Sequence, residues 1–223
     1  MLLAFDTSTP AVTVALHDGR GVLAERTTVD AMRHAELLAP AIEAVLAEAG
    51  ADRLDLTGVA VGVGPGPFTG LRVGVVTARV LGAALEIPVR GVCSLDVVAA
   101  GVDRARVTGP FAVATDARRR EVYWATYGTD GRRVSGPVVG PAAGFAADPA
   151  PGGGTYRDLP VAGAGPGLYP EDLPLRVDPE YPGAADLAAA VLAGSVEVLD
   201  PEPLYLRRPD ARPPGPRKPV LTR

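Results

Sequence analysis

The sequence predicts an α/β protein of two domains, and three observations carry that reading. Residues 2–23 alternate apolar and polar positions like a short antiparallel meander, residues 30–101 then alternate helical and strand-like runs, and the opening pattern returns near residue 111. A chain of 223 residues is long enough to bury two small cores.

The elements follow in order. Leu2 to Phe5 is a continuous apolar run ending at Asp6-Thr7-Ser8-Thr9-Pro10; Val12, Val14 and Leu16 alternate before the Asp18-Gly19 turn, and Val22 and Leu23 resume. Asp30 is placed to cap a helix carrying Ala35, Leu38, Ile42, Val45, Leu46 and Ala49, stopped by Gly50 and kinked or restarted at Pro40, which has no N–H to give Glu36. Gly58 to Val63 reads as a buried strand, Gly64-Pro65-Gly66-Pro67 as a sharp loop, Thr69 to Leu85 as a second helix and Val89 to Val92 as a short strand. Ser94 is placed to cap a helix running to about Gly101, and the polar stretch Asp103 to Pro110 marks a boundary between domains 1–108 and 109–207.

In the second domain Phe111 to Thr115 ends at Asp116, Val122 to Tyr127 forms the next strand, and Asp130-Gly131 turns the chain. This copies the order of residues 2–19 and points to duplication; a second, unrelated hairpin closed by Asp-Gly is the alternative. Gly136 to Gly167 shows only a strand at Leu159 to Ala162, Ala184 to Leu192 is a short apolar helix, and Leu204-Tyr205-Leu206 is a final strand or docking segment. In the arginine and proline tail, 208–223, nothing is available to bury, so it is either a solvated end or an RNA-contacting arm.

Composition excludes several functions. The net charge of −4 provides no field for gripping nucleic acid unaided over the main body. Cys93 is the single cysteine, so there is no internal disulfide and no thiolate zinc cluster, and packing is its expected role. MLLAFDTSTP lacks the basic n-region of a signal peptide, which makes cytoplasm the expected compartment and membrane attachment unexpected. His17 and His34 have no helical partner at i±4, so no metal site is expected; no Gly-x-Ser-x-Gly or activated serine occurs, so no catalytic residue is assigned and no cofactor is expected.

Two features remain. The block from Gly64 to Arg72 opens onto a helix N-terminus, a place for an anion, although Pro65 and Pro67 remove two donors and a rigid shape-defining turn is the competing account. Asp6, Thr7, Gly66, Thr69 and Asp116 are the candidate nucleotide or anion contacts, with Asp6 and Asp116 also suited to ordinary turn and cap duty. Beyond it, Gly70, Gly74, Ala78 and Gly82 recur every four residues, and each interior glycine costs roughly 0.5 to 1 kcal/mol against alanine. Such a stripe implies close approach of another backbone, from a partner or from within the chain; together with His34, Leu38 and Ile42 on the first helix, Gly70, Gly74 and Ala78 form the candidate partner-binding set.

Asp6-Thr7-Ser8, His34 with Leu37, Leu38 and Pro40, the block Gly64-x-Gly66-x-Phe68-Thr69-Gly70-Leu71-Arg72-x-Gly74, the stretch Asp116-Ala117-Arg118-x-x-Glu121-Val122-Tyr123, and Tyr205-Leu206-Arg207 resemble the TsaB family, also called YeaZ. The resemblance implies two actin-like halves of ribonuclease H type, each a mixed sheet with flanking helices, around a degenerate nucleotide cleft. It further implies a non-catalytic subunit that joins the catalytic TsaD through the first helices, or pairs with itself when TsaD is absent, and that works with the ATPase TsaE. That assembly transfers a threonylcarbamoyl group to N6 of adenosine 37 in transfer RNAs reading codons that start with A, with RNA met only through the complex. The alternative from another class is an actin-like ATPase or phosphotransferase acting alone through Asp6 and Asp116; a peptidase lacks both metal pair and nucleophile. The sequence departs from the family at Pro67, where serine is usual.

Overall fold

The computed structural model describes residues 1–150 and 153–207; the tail reading for 208–223 lies outside them. The opening meander is present as β1 (Leu2–Asp6), β2 (Ala11–His17) and β3 (Val22–Val29), followed by helix α1 (His34–Glu48), β4 (Gly58–Gly62), α2 (Phe68–Leu85), β5 (Val89–Val92) and α3 (Ser94–Ala100). The strands form one sheet in the order β3-β2-β1-β4-β5, antiparallel through the meander and parallel from β1 to β5. β1 lies at its centre, and its five residues are all buried, as a strand covered on both faces must be. Leu3 and Phe5 point to the core beneath α1 and α2, with Leu38, Ile42, Val45, Leu71, Val75 and Ala78. Leu2 and Ala4 point the other way, towards Ala60, Val92, Val97 and Leu187.

The second half contains β6 (Phe111–Asp116), β7 (Glu121–Tyr127), β8 (Arg133–Pro141), α4 (Ala142–Ala147), β9 (Val161–Ala162), α5 (Gly165–Leu168) and α6 (Ala184–Ala193). Its sheet runs β8-β7-β6-β9, with β9 parallel to β6. That is the order of the first four strands of the N-terminal sheet, so the two halves share a topology and not just a hairpin. The halves also exchange cover. Helix α6, late in the chain, packs on β1, β2 and β4 of the first sheet, while α3 from the first half packs on β6 and β7 of the second. Leu187 on α6 and Leu95 on α3 are both 0 % exposed.

Local expectations are corrected at several points. α1 runs through Pro40 without interruption, because the missing bond to Glu36 falls on the exposed side of the helix, where water serves the carbonyl. Asp30 sits before the helix and accepts from the backbone N–H groups of Met32 and Arg33 at 2.9 and 3.2 Å, so it shapes the approach while Arg33 takes the cap position. Ser94 makes no capping bond for α3, since its hydroxyl is used elsewhere. Residues 133–141, where Gly136 and Pro137 hid the pattern, form an edge strand, the position that tolerates proline. Leu204 to Leu206 docks and does not form a strand: the Leu204 N–H donates to the Val63 carbonyl at 2.8 Å, and Tyr205 stacks on Phe68 with ring centroids 4.4 Å apart.

α2 is long and apolar enough to cross a membrane by length and composition. Here Leu71 and Ala78 are 0 % exposed against its own sheet, while Val76 and Val80 are 57 % and 61 % exposed on the opposite face.

Because α6 is the lid of the first sheet, truncating its buried leucine should weaken that half as well as its own. Leu187→Ala is expected to cost about 3 kcal/mol, read as a lowered urea midpoint; a loss below about 1 kcal/mol would show that α6 is not part of the first core.

Candidate functional site

The end of β1 is a lock. Asp6 is 0 % exposed. Its Oδ1 accepts from the backbone N–H and the hydroxyl of Ser8, both at 2.7 Å, and its Oδ2 accepts from the Ser94 hydroxyl at 2.5 Å. The Ser94 oxygen in turn accepts from the Gly64 N–H at 3.0 Å. Gly62 closes the remaining side: a Cβ there would lie 1.7 Å from Asp6 Oδ2. Burial pushes the Asp6 carboxyl above the ordinary carboxylate range, opposed by the hydrogen bonds from Ser94 and Ser8. The Asp6 carboxylate thus faces protein on every side, whereas a nucleotide contact needs it open to the cleft.

Its neighbours are engaged in the same way. The Thr7 hydroxyl donates to the Gly70 carbonyl at 2.8 Å and accepts from the Gly74 N–H at 3.0 Å, pinning the first turns of α2 to the β1–β2 turn. A Cβ at Gly66 would fall 2.1 Å from the Ser8 carbonyl oxygen, at Gly70 2.6 Å from that of Thr7, and at Gly74 2.5 Å from Thr7 Oγ1. Gly66 is therefore a contact point of the seam, where a side chain has no room beside the Ser8 carbonyl.

The matching carboxylate of the second half is arranged differently. Asp116 is only partly buried; its Oδ1 accepts from the Arg118 N–H at 2.7 Å, and the Arg118 guanidinium stands 3.3 Å from Oδ2. Between the halves lies a cavity of about 250 Å³ whose walls include Thr7, Thr9, Met32, His34, Thr69 and Arg118. Of the five candidate anion contacts, Thr7 and Thr69 reach this cavity, and its volume is below that of most small-molecule sites.

The candidate partner-binding set is likewise turned inward. Leu38, Ile42 and Ala78 are 1 %, 8 % and 0 % exposed, Gly70 and Gly74 press on Thr7, and the His34 ring reaches the Thr9 carbonyl through Nε2 at 2.7 Å. The four-residue spacing signals a close approach, and what approaches is the chain itself: Thr7 at Gly70 and Gly74, and Ile87 and Val89 at Gly82. What α1 and α2 leave outside is Ala35, Ala39 and Pro40 on one helix, with Met32 just before it, and Thr69, Val76, Val80 and Ala83 on the other, a small-residue apolar face with Arg72 and Arg79 at its border. Exposed valines at i and i+4 opposite a buried stripe were the available signal.

Sequence reasoning also missed a larger cavity, of about 600 Å³, between α3, α6 and the β7–β8 turn. Arg133 bridges Asp96 and Glu197 there, at 3.4 and 2.6 Å, and the Tyr127 hydroxyl donates to Asp96 at 2.9 Å. Cys93 is fully buried, and burial pushes its thiol up to about 12, which fits a packing role.

Asp6 gives a pH signature whose sign is fixed by its raised pKa. A carboxyl that titrates higher when folded holds its proton more tightly in the native state, so its stabilising contribution is complete below the unfolded pKa, near 3.8, and is lost as pH rises through the folded value. Asn in its place keeps an acceptor for Ser8 and a donor for Ser94 without titrating. Urea melts across acid to neutral pH should show the stability of wild type relative to Asp6→Asn falling with rising pH and then levelling; a difference that grows with pH would reverse the assignment.

Comparison with known proteins places this geometry. Residues 20–170 match the family model described as "TsaD: tRNA N6-adenosine threonylcarbamoyltransferase". A Mycobacterium leprae protein is 49 % identical over 96 % of this chain, which spans 56 % of that relative's length. The Escherichia coli protein named tRNA threonylcarbamoyladenosine biosynthesis protein TsaB is 36 % identical over 58 % of this chain and 55 % of its own length. The structure of YeaZ from Pseudomonas aeruginosa superposes with a TM-score of 0.74 at 35 % identity, covering 92 % of this chain and 99 % of that one. With the shared strand order of its two actin-like halves, these matches identify the chain as a member of the TsaB (YeaZ) family.

Proposed function

We propose that the chain is a non-catalytic subunit of the cytoplasmic machinery that transfers a threonylcarbamoyl group to N6 of adenosine 37 in transfer RNAs reading codons that start with A. Its partners in this reading are TsaD, which carries the chemistry, and the ATPase TsaE, with a homodimer forming when TsaD is absent. The name of the Escherichia coli relative supports the pathway. The observation that carries the subunit role is the pairing of an enclosed Asp6 with an open apolar face on α1 and α2. A carboxylate shut behind Ser8, Ser94 and Gly62 is not presented to magnesium or phosphate, which speaks against the alternative of an independent actin-like ATPase or phosphotransferase.

The proposed interface is the outward face, residues Ala35, Ala39, Val76, Val80 and Ala83, and not the buried stripe beneath it. Small side chains there let a second pair of helices approach closely, and the exposed valines supply apolar area without a desolvation penalty. A substitution in the stripe would report on folding instead of association, since a leucine at Gly74 has no room beside Thr7.

Val76→Asp should change monomer stability by no more than about 0.5 kcal/mol, because the side chain is 57 % exposed. It should weaken co-purification with TsaD on the order of a hundredfold, since an unpaired carboxylate is then buried at the joint. In a transfer RNA modification assay with TsaD, TsaE and the adenylate-forming enzyme, omitting the chain should abolish product and Asp6→Asn should leave it unchanged. Product formed at full rate without the chain, or ATP turnover by the chain alone that Asp6→Asn removes, would sink the reading.

A further inference from the structure

Arg72 is an exposed arginine whose side chain is nonetheless held in place. It stands one turn before Val76 and two turns before Val80 on the outward side of α2. Its Nε donates to the Tyr205 hydroxyl at 2.7 Å, and its guanidinium carbon lies 5.3 Å from the Phe68 ring centroid and 5.7 Å from that of Tyr205. Those two rings are themselves stacked, with centroids 4.4 Å apart and planes 15° from parallel. The Nε bond and the ring contacts fix the plane of the guanidinium and leave its outer edge unused. Among the described residues no hydrogen bond or ion pair reaches Nη1 or Nη2 of Arg72, so the donors of that edge are available.

The support behind Arg72 is tied down on both sides. The Leu204 N–H donates to the Val63 carbonyl at 2.8 Å, and the Arg207 guanidinium donates to the Ala117 carbonyl at 2.9 Å, so the chain flanking Tyr205 is bonded to the body of the protein. Arg79 offers a contrast. It lies about two turns further along the same border and is also exposed, yet among the described residues no ring or acceptor holds it.

We propose that Arg72, preset by Phe68 and Tyr205, is an anchor for a carboxylate side chain of the protein that covers the outer face of α1 and α2. The proposal rests on the subunit reading given above, in which that protein is TsaD. Parallel N–H groups on the free edge match the two oxygens of a carboxylate. An arginine already ordered loses less side-chain freedom on binding than one its partner must order, and arginine is over-represented among the few residues that carry most of an interface's affinity. The neighbouring Val76 and Val80 supply the apolar surface that shuts water out once the face is covered, which strengthens the charge pair. A phosphate fits less well: prolines 65 and 67 remove backbone donors from the loop before α2, and a net charge of −4 repels a polyanion.

The test is titration calorimetry of the full chain with TsaD at low and high salt, with the thermal midpoint of each variant measured alone. Arg72→Gln should weaken association roughly thirtyfold and reduce its salt dependence. Arg72→Lys keeps the charge without the fork and should lose about tenfold. Tyr205→Phe retains the stack and removes the acceptor for Nε; a loss of about three- to tenfold at an unchanged midpoint is expected, a combination that a role in folding alone would not give. Arg79→Gln should cost less than about threefold. Each Asp and Glu of TsaD is then changed to its amide in turn. One such change should weaken association with the unaltered chain and cost nothing further with Arg72→Gln. Arg72→Gln binding as tightly as the unaltered chain, or no TsaD carboxylate coupled to Arg72, would overturn the anchor and leave the subunit reading standing. Weaker transfer RNA binding by the Arg72→Gln complex, at unchanged affinity for TsaD, would assign the fork to phosphate and overturn the anchor as well. Failure of the unaltered chain to join TsaD would overturn the subunit reading, and the anchor with it.

Discussion

The seam between β1 and α2 is the contact on which the rest of the molecule depends. Three glycines, Gly66, Gly70 and Gly74, bring the start of α2 so near the β1–β2 turn that no side chain fits between them, and Thr7 bonds to both the carbonyl of Gly70 and the N–H of Gly74. Helix glycines lower intrinsic helix stability, but here they exchange that loss for backbone contact in the centre of the first core. The same approach places Gly64 where its N–H reaches Ser94, and so encloses Asp6. One packing decision therefore determines both the shape of the first half and the inaccessibility of its carboxylate.

That decision also divides the duties of α2. Its inner face is fully engaged by β1 and β4, so anything α2 offers to another molecule must come from its outer face, where Val76 and Val80 stand exposed. The second half constrains the arrangement from the other side. α6 covers the first sheet, α3 covers the second, and the segment from Leu199 to Arg207 runs from Gly91 past Phe68 to the β6–β7 turn. Each half thus completes the other's core, and opening a cleft between them would expose Leu187 and Leu95 as well as the cleft walls.

Much of the first half was legible because its signals are periodic. The helical spacing of Leu38, Ile42 and Val45 reports directly which side of α1 is dry, and the alternation of Val12, Val14 and Leu16 marks the face of the fully buried β2 that joins the same core. The glycine stripe reported a close approach truthfully and was silent about its partner, since spacing along one helix carries no information on what faces it. Ser94 was misread for a related reason: a serine before an apolar run suits a cap, and the competing acceptor, Asp6, lies 88 residues away in sequence. In the second half β8 was hidden by Gly136 and Pro137, which break the pattern without breaking an edge strand. The pairing of Asp96, Tyr127, Arg133 and Glu197 joins three elements, α3, β7 and β8, with the loop after α6, and leaves no local mark at all.

The enclosed carboxylate and the proline-framed loop make the same argument from two directions. An N-terminus that binds phosphate needs free N–H groups directed at solvent. Ahead of α2 the residues at 65 and 67 are prolines without such groups, the Leu71 N–H is satisfied by the Pro67 carbonyl at 3.1 Å, and Gly70 is pressed against Thr7. At the mouth the Phe68 ring stacks on Tyr205, with centroids 4.4 Å apart. A phosphate cradle needs its backbone open to the cleft, while a close-packed seam needs it shut against β1, and Gly66, Gly70 and Gly74 stand in the second relation to Thr7 and Ser8. The contacts that stabilise the first half, Thr7 with Gly70 and Gly74 and Asp6 with Ser8 and Ser94, are thus the ones that close the end of β1.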